Sequence, residues 1–179
     1  MLLEYSNLSV DSATVQAAKD IARPLLDSPA LTPYRAAVYW ASEGYTSYVA
    51  GRYDEALLCF DKCEAIAEKF GLEEALKIFV IMHGFCLRRA GRIDEAEALA
   101  RRIERYRGSG SAYFVSTLDW FKALIAFDRG RFKLAIHEGL AQLKVLDACG
   151  DANTRIAGKM VYAYMLTTVE HNARAEELL

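Results

Sequence analysis

Ala50-Gly51-Arg52-Tyr53-Asp54-Glu55-Ala56 returns later in the chain as Ala90-Gly91-Arg92-Ile93-Asp94-Glu95-Ala96. A third copy reads Arg129-Gly130-Arg131-Phe132-Lys133-Leu134-Ala135, and a degraded fourth reads Glu170-His171-Asn172-Ala173-Arg174-Ala175. The alanines Ala56, Ala96, Ala135 and Ala175 advance by 40, 39 and 40 residues, the mark of an internal repeat. Each copy reads as the turn of a helix hairpin. Glycine accepts the left-handed conformation that closes a helix, so Gly51, Gly91 and Gly130 are natural stop residues. Tyr53, Ile93 or Phe132 then supplies an apolar plug at the start of the next helix. Asp54-Glu55 and Asp94-Glu95 place acid in a first turn, where it complements the helix dipole. The alanine register marks a crossing too close for a larger side chain.

Working outward from these turns, the apolar spacing is helical. Tyr53, Ala56, Leu57, Phe60, Ala65 and Ile66 follow the three-and-four rhythm of an amphipathic helix. So do Ile93, Ala96, Leu99, Ala100 and Ile103, and the stretch from Phe132 to Leu146. The other helix of each pair is apolar on all sides, over 36–50, 76–90, 113–127 and 156–169, as a helix touched by several neighbours should be. The spacing predicts a helix near 11–26 as a partial preceding unit. Units follow near 33–70, 72–107, 111–149 and 152–179, all within one domain over 1–179. Thr32-Pro33, Gly71, Gly108-Ser109-Gly110-Ser111 and Gly150-Asp151 punctuate them. Both ends lack the polar capping helices of a closed array, so the chain reads as part of a longer protein.

The 179 residues carry 22 basic and 24 acidic side chains, a net charge of −2, which argues against a nucleic-acid binder. Four cysteines at irregular spacing do not make a disulfide scaffold, and they suit a reducing, cytoplasmic compartment. The opening Met-Leu-Leu-Glu-Tyr has neither the basic nor the apolar segment of a signal peptide. The longest apolar run, Ile78 to Met82, is far below the roughly 20 residues of a membrane span. No membrane partner is expected.

The units resemble tetratricopeptide repeats, which pair a helix carrying W-x₂-L-G-x₂-Y with one carrying A-x₃-F. Trp40, Gly44, Ala56 and Phe60 match at the corresponding spacing, while Glu43 and Ser47 stand where leucine and tyrosine belong. The second unit keeps Gly84, Leu87 and Ala96, the third Ala126 and Ala135, and the fourth Ala163 and Ala175. The period near 40 exceeds the usual 34, and is similar to the long variant in the sensor regions of maltose-regulator-like and LuxR-type bacterial transcription activators. The segments Leu118-Asp119-Trp120-Phe121, Gly130 to Ala135 and Ala148-Cys149-Gly150-Asp151 are the most similar. The resemblance implies an all-α, right-handed solenoid of antiparallel helix pairs. HEAT and armadillo arrays share the period, but the glycine-arginine turn with its acidic first turn fits the tetratricopeptide type better.

Chemistry is sparse. No phosphate loop, dinucleotide fingerprint, HExxH or CxxC pair occurs, so no catalytic residue, cofactor or metal is assigned. Cys59 and Cys63 share a helix face, as half a metal site or as two small packing residues. His83, beside Gly84, reads as a packing histidine rather than a base. Arg88, Arg89 and Arg92, with Arg101, Arg102, Arg105 and Arg107, form the one basic concentration, diluted by Glu95, Glu97 and Glu104. It is either a solvated face with pairs such as Glu97 to Arg101 or a docking site for an acidic partner.

The resemblance implies that the first helix of each pair lines a concave, partner-binding face. By register this face holds Tyr45, Tyr48, Phe85, Arg88, Arg89, Trp120, Leu124, Phe127, Asp128, Met160 and Tyr164. Aromatics with arginine dominate interface hot spots, although the same rings suit an interhelical core. The expected function is non-catalytic binding of a protein or peptide segment, or of a small effector. The alternative is the sensor segment of an ATP-dependent LuxR-type activator. An isolated piece of such an array is also expected to self-associate.

Overall fold

The computed structural model describes residues 17, 20, 21, 23–28, 31–149 and 152–169. Among these the chain is all-helical, without strands. A short 3₁₀ helix, Arg23–Asp27, precedes α1 (Pro33–Val49), α2 (Tyr53–Lys69), α3 (Glu73–Arg89), α4 (Ile93–Ile103), α5 (Ala112–Asp128), α6 (Phe132–Cys149) and α7 (Ala152–Thr168). The helix expected over 11–26 and the fourth turn near 170–175, with Ala175, lie largely or wholly outside the described residues.

The repeated turns share one construction. Gly51, Gly91 and Gly130 take φ of 75°, 78° and 72°. The Gly51 N–H donates to the carbonyl of Tyr48, and that of Arg52 to Ser47. Gly91 and Arg92 repeat the pattern onto Arg88 and Leu87, and Gly130 and Arg131 onto Phe127 and Ala126. This is the Schellman closure, which satisfies carbonyls left open at a helix end and needs a left-handed residue that glycine supplies without strain. Each following arginine also opens the next helix: the carbonyls of Arg52, Arg92 and Arg131 accept from Ala56, Ala96 and Ala135. Its guanidinium then holds the glutamate three residues on, Arg52 to Glu55 at 2.7 Å and Arg92 to Glu95 at 2.6 Å. Helices entered from longer connections are capped differently. Thr32 and Ser111 accept from the amides of Arg35 and Phe114.

The chain's contacts group into two units, one through Phe79 and one from Val80, with the border inside α3. In the first, α1 and α2 pack side by side. Ala37, Ala41 and Cys63 form a small core, with Trp40, Ile66, Leu72 and Phe79 packed on it. The Phe60 ring lies against Gly44, so the two consensus positions are direct neighbours. In the second unit α4 packs on α5, α5 on α6, and α6 on α7. Its core joins Trp120, Leu124, Phe127, Ala135, Leu143 and Tyr162, among others. Ala56, Ala96 and Ala135 have no exposed surface, as the close-crossing register requires.

One element departs from the sequence expectation. The helix expected over 93–107 ends at Ile103 and tightens into a 3₁₀ helix, Glu104–Ser109. Arg107 turns back there to bind Glu104 and reaches Asp119 on α5 with both guanidinium arms. Gly110 follows as the cap that ends this helix. The Arg107 guanidinium, with Lys122 as a second donor, holds the Glu104 carboxyl below the usual carboxylate range. The sign follows from linkage. A carboxyl whose folded pKa is depressed adds stability above its unfolded value of about 4.3, and that stability disappears as pH falls through the lower folded value. Urea unfolding at pH 7 and pH 3 should therefore show a larger acid loss for the wild type than for Glu104→Gln. Equal losses would show that the Arg107 bridge contributes nothing to stability.

Candidate binding surface

The residues assigned to a binding face fall in both units. In the first, Tyr45 and Tyr48 are half-buried with ring centroids 6.2 Å apart, and Tyr48 lies 6.0 Å from Tyr53. The others belong to the second unit, where burial sorts them. Trp120, Leu124 and Phe127 are only 8%, 4% and 7% exposed and belong to its core, so a ligand would reach little of them. Phe85 is half-buried, packed on that core with its ring edge-on to Phe121 at 5.2 Å.

Two groupings remain near the surface. Arg88 at the end of α3 donates to Asp128 at the end of α5, Nε to Oδ2 at 2.5 Å, with both side chains largely shielded. A charge-assisted pair of this kind fixes the two helix ends relative to each other. Arg89 beside it is exposed. On α7, Met160 and Tyr164 are 58% and 61% exposed, and Ile156 one turn earlier is 57% exposed. These three sit at spacings of four, on one helix face. The Tyr164 ring meets Phe127 at 5.9 Å, and Phe127 meets Phe132 at 5.1 Å. The aromatic line thus runs from core to surface across the ends of α5 and α7.

No protein-family model matches this chain, and no curated protein does.

The basic concentration is largely engaged within the chain. Besides Arg88, Arg92 and Arg107, Arg101 pairs with Glu97 at 3.6 Å, and Arg105 stacks on Tyr106 at 4.7 Å. A solvated, ion-paired face describes most of it. Cys63 is buried, which pushes its thiol up to about 12 and makes the thiolate a metal needs costly. His83 is buried as well. Among the described residues no three His, Cys, Asp or Glu side chains are gathered as a metal site would need. Likewise none of their helices is long and apolar enough to cross a membrane.

Sequence reasoning missed one feature, a cleft where α4, α5 and α6 meet, with Lys122, Arg131 and Glu138 among its walls. A signal was present: Leu134 stands where the other two turns carry Glu55 and Glu95. Among the described residues Arg131 consequently has no carboxylate partner.

Proposed function

We propose that this chain is a non-catalytic binding module, a tetratricopeptide-like right-handed solenoid that holds a segment of a partner protein against its first-of-pair helices. The support for the module is its repetition: three hairpin turns built on one hydrogen-bond pattern at a spacing of 40 and 39 residues. Such repeats stack, and their function is the surface they present. The support for the surface is the exposed line Ile156, Met160 and Tyr164 on α7. Contiguous exposed apolar side chains mark interaction sites, and a tyrosine braced by a buried phenylalanine is a pre-ordered anchor. The partner segment is one with apolar side chains to cover that line.

The test selects peptides on the purified chain from a displayed random library and measures their affinities for variants. Tyr164→Ala and Met160→Ser should each weaken the selected peptides about tenfold, as loss of an interface anchor does. Peptides that bind both variants as tightly as wild type would remove α7 from the binding surface.

A further inference from the structure

The cleft between α4, α5 and α6 is open on one side and offers about 440 Å³, within the span of small-ligand sites. Its apolar lining includes small side chains, Ala100 on α4 with Ala123 and Ala126 on α5, beside Ile125. Leu134, itself exposed, adds a branched apolar wall.

The charges on the walls are not equally committed. Glu97 is shared by Arg129 at 3.2 Å and Arg101 at 3.6 Å. Glu104 is shared by Arg107 and, at 3.1 Å, Lys122. Asp119 accepts from Arg107 and, at 3.4 Å, from Gln142. Arg101 and Lys122 can therefore turn into the cleft while their carboxylates keep another arginine. Arg131 has no such pair to leave among the described residues, because Leu134 stands where the other turns carry glutamate. Freeing Arg101 and Lys122 would leave Arg129 with Asp94 and Glu97, and Arg107 with Glu104 and Asp119, so Arg131 is the cation an occupant meets without drawing on a pair, with Glu138 as the opposing acid. A cationic occupant would have to compete with Arg129 and Arg107 for the same carboxylates.

We propose that this cleft binds a small organic anion, a carboxylate carrying a short branched apolar body. The carboxylate accepts charge-assisted hydrogen bonds from Arg131, joined by Lys122 and Arg101. The apolar body packs on the lining alanines and against Leu134. This site lies apart from the α7 surface and does not depend on the peptide-binding reading.

The probe is 4-methylpentanoate, titrated into the full chain and followed by backbone amide shifts, with 4-methylpentanamide as the uncharged isostere and acetate as the anion without a body. The carboxylate should shift the amides of Ala100, Ala123 and Leu134 at about millimolar concentration, as a fragment of this size does. The amide and acetate should each bind at least tenfold more weakly. Arg131→Gln should weaken 4-methylpentanoate at least tenfold with an unchanged melt, since the native side chain makes no ion pair among the described residues. Glu138→Gln should tighten it severalfold by removing the opposing charge. The proposal is overturned if the shifts avoid the cleft, if amide and carboxylate bind alike, or if neither variant changes the affinity in its stated direction.

Discussion

Gly84→Leu should lower the melting temperature by about 10 °C, a loss of about 3 kcal/mol at 2–4 °C per kcal/mol for a chain of this size. A Cβ at Gly84 would stand 2.4 Å from the ζ carbon of Phe121 and 2.7 Å from its ε1 carbon. Real side chains do not approach so closely, so the ring would have to move. Phe121 is fully buried and edge-on to Phe85, and interiors are packed too densely to take a displaced ring. The sign is informative because helix propensity alone favours leucine over glycine by about 1 kcal/mol. An exposed helical glycine would gain from the change; this one should lose. Gly51→Ala is the contrasting case. No atom lies within 4 Å of its Cβ position, but φ is +75°. Its cost should be only the left-handed strain of about 1–2 kcal/mol. Thermal melts of both variants separate steric from backbone effects. A Gly84→Leu protein as stable as wild type would mean that α3 and α5 do not meet as described.

These two glycines also show what a sequence can and cannot disclose. Gly51 was legible because a positive φ is a local demand, met in the first three copies by the same residue beside the same arginine. Ala56, Ala96 and Ala135 were legible for a related reason: a close crossing repeats with the period. Gly84 appeared as a consensus match, but its neighbour Phe121 is 37 positions away, and no spacing rule connects them. The early end of α4 was hidden likewise, since it turns on Arg107 reaching Asp119 on another helix. The arginine cluster looked like a patch in one dimension, whereas folding supplies carboxylates from distant helices, Asp128 to Arg88 and Asp119 to Arg107. The cleft needed three helices to enclose it. Its alanines are ordinary helix formers until Ala100 and Ala123 face the same void.

The sorting of the aromatic set leads to the other large effect. Phe127 and Tyr164 were assigned to one face by register, yet their surroundings differ. Phe127 is 7% exposed and packed within the core that holds Leu124, Ala135 and Met165, while Tyr164 is 61% exposed. Phe127→Ala should therefore cost about 3–5 kcal/mol, the transfer energy of the ring plus the cavity it leaves. Phe127→Leu keeps most of the volume and should cost under about 1.5 kcal/mol. Tyr164→Ala removes one side of a single ring contact, so its melt should stay within a few degrees of wild type, as surface substitutions do. Urea unfolding of the three variants gives the order directly. If Phe127→Ala were as mild as Tyr164→Ala, Phe127 would be available to a partner and the core boundary would shift inward. If Tyr164→Ala were as severe as Phe127→Ala, that ring would be holding α7 in place. The peptide affinities expected for Tyr164→Ala would then report folding and not contact.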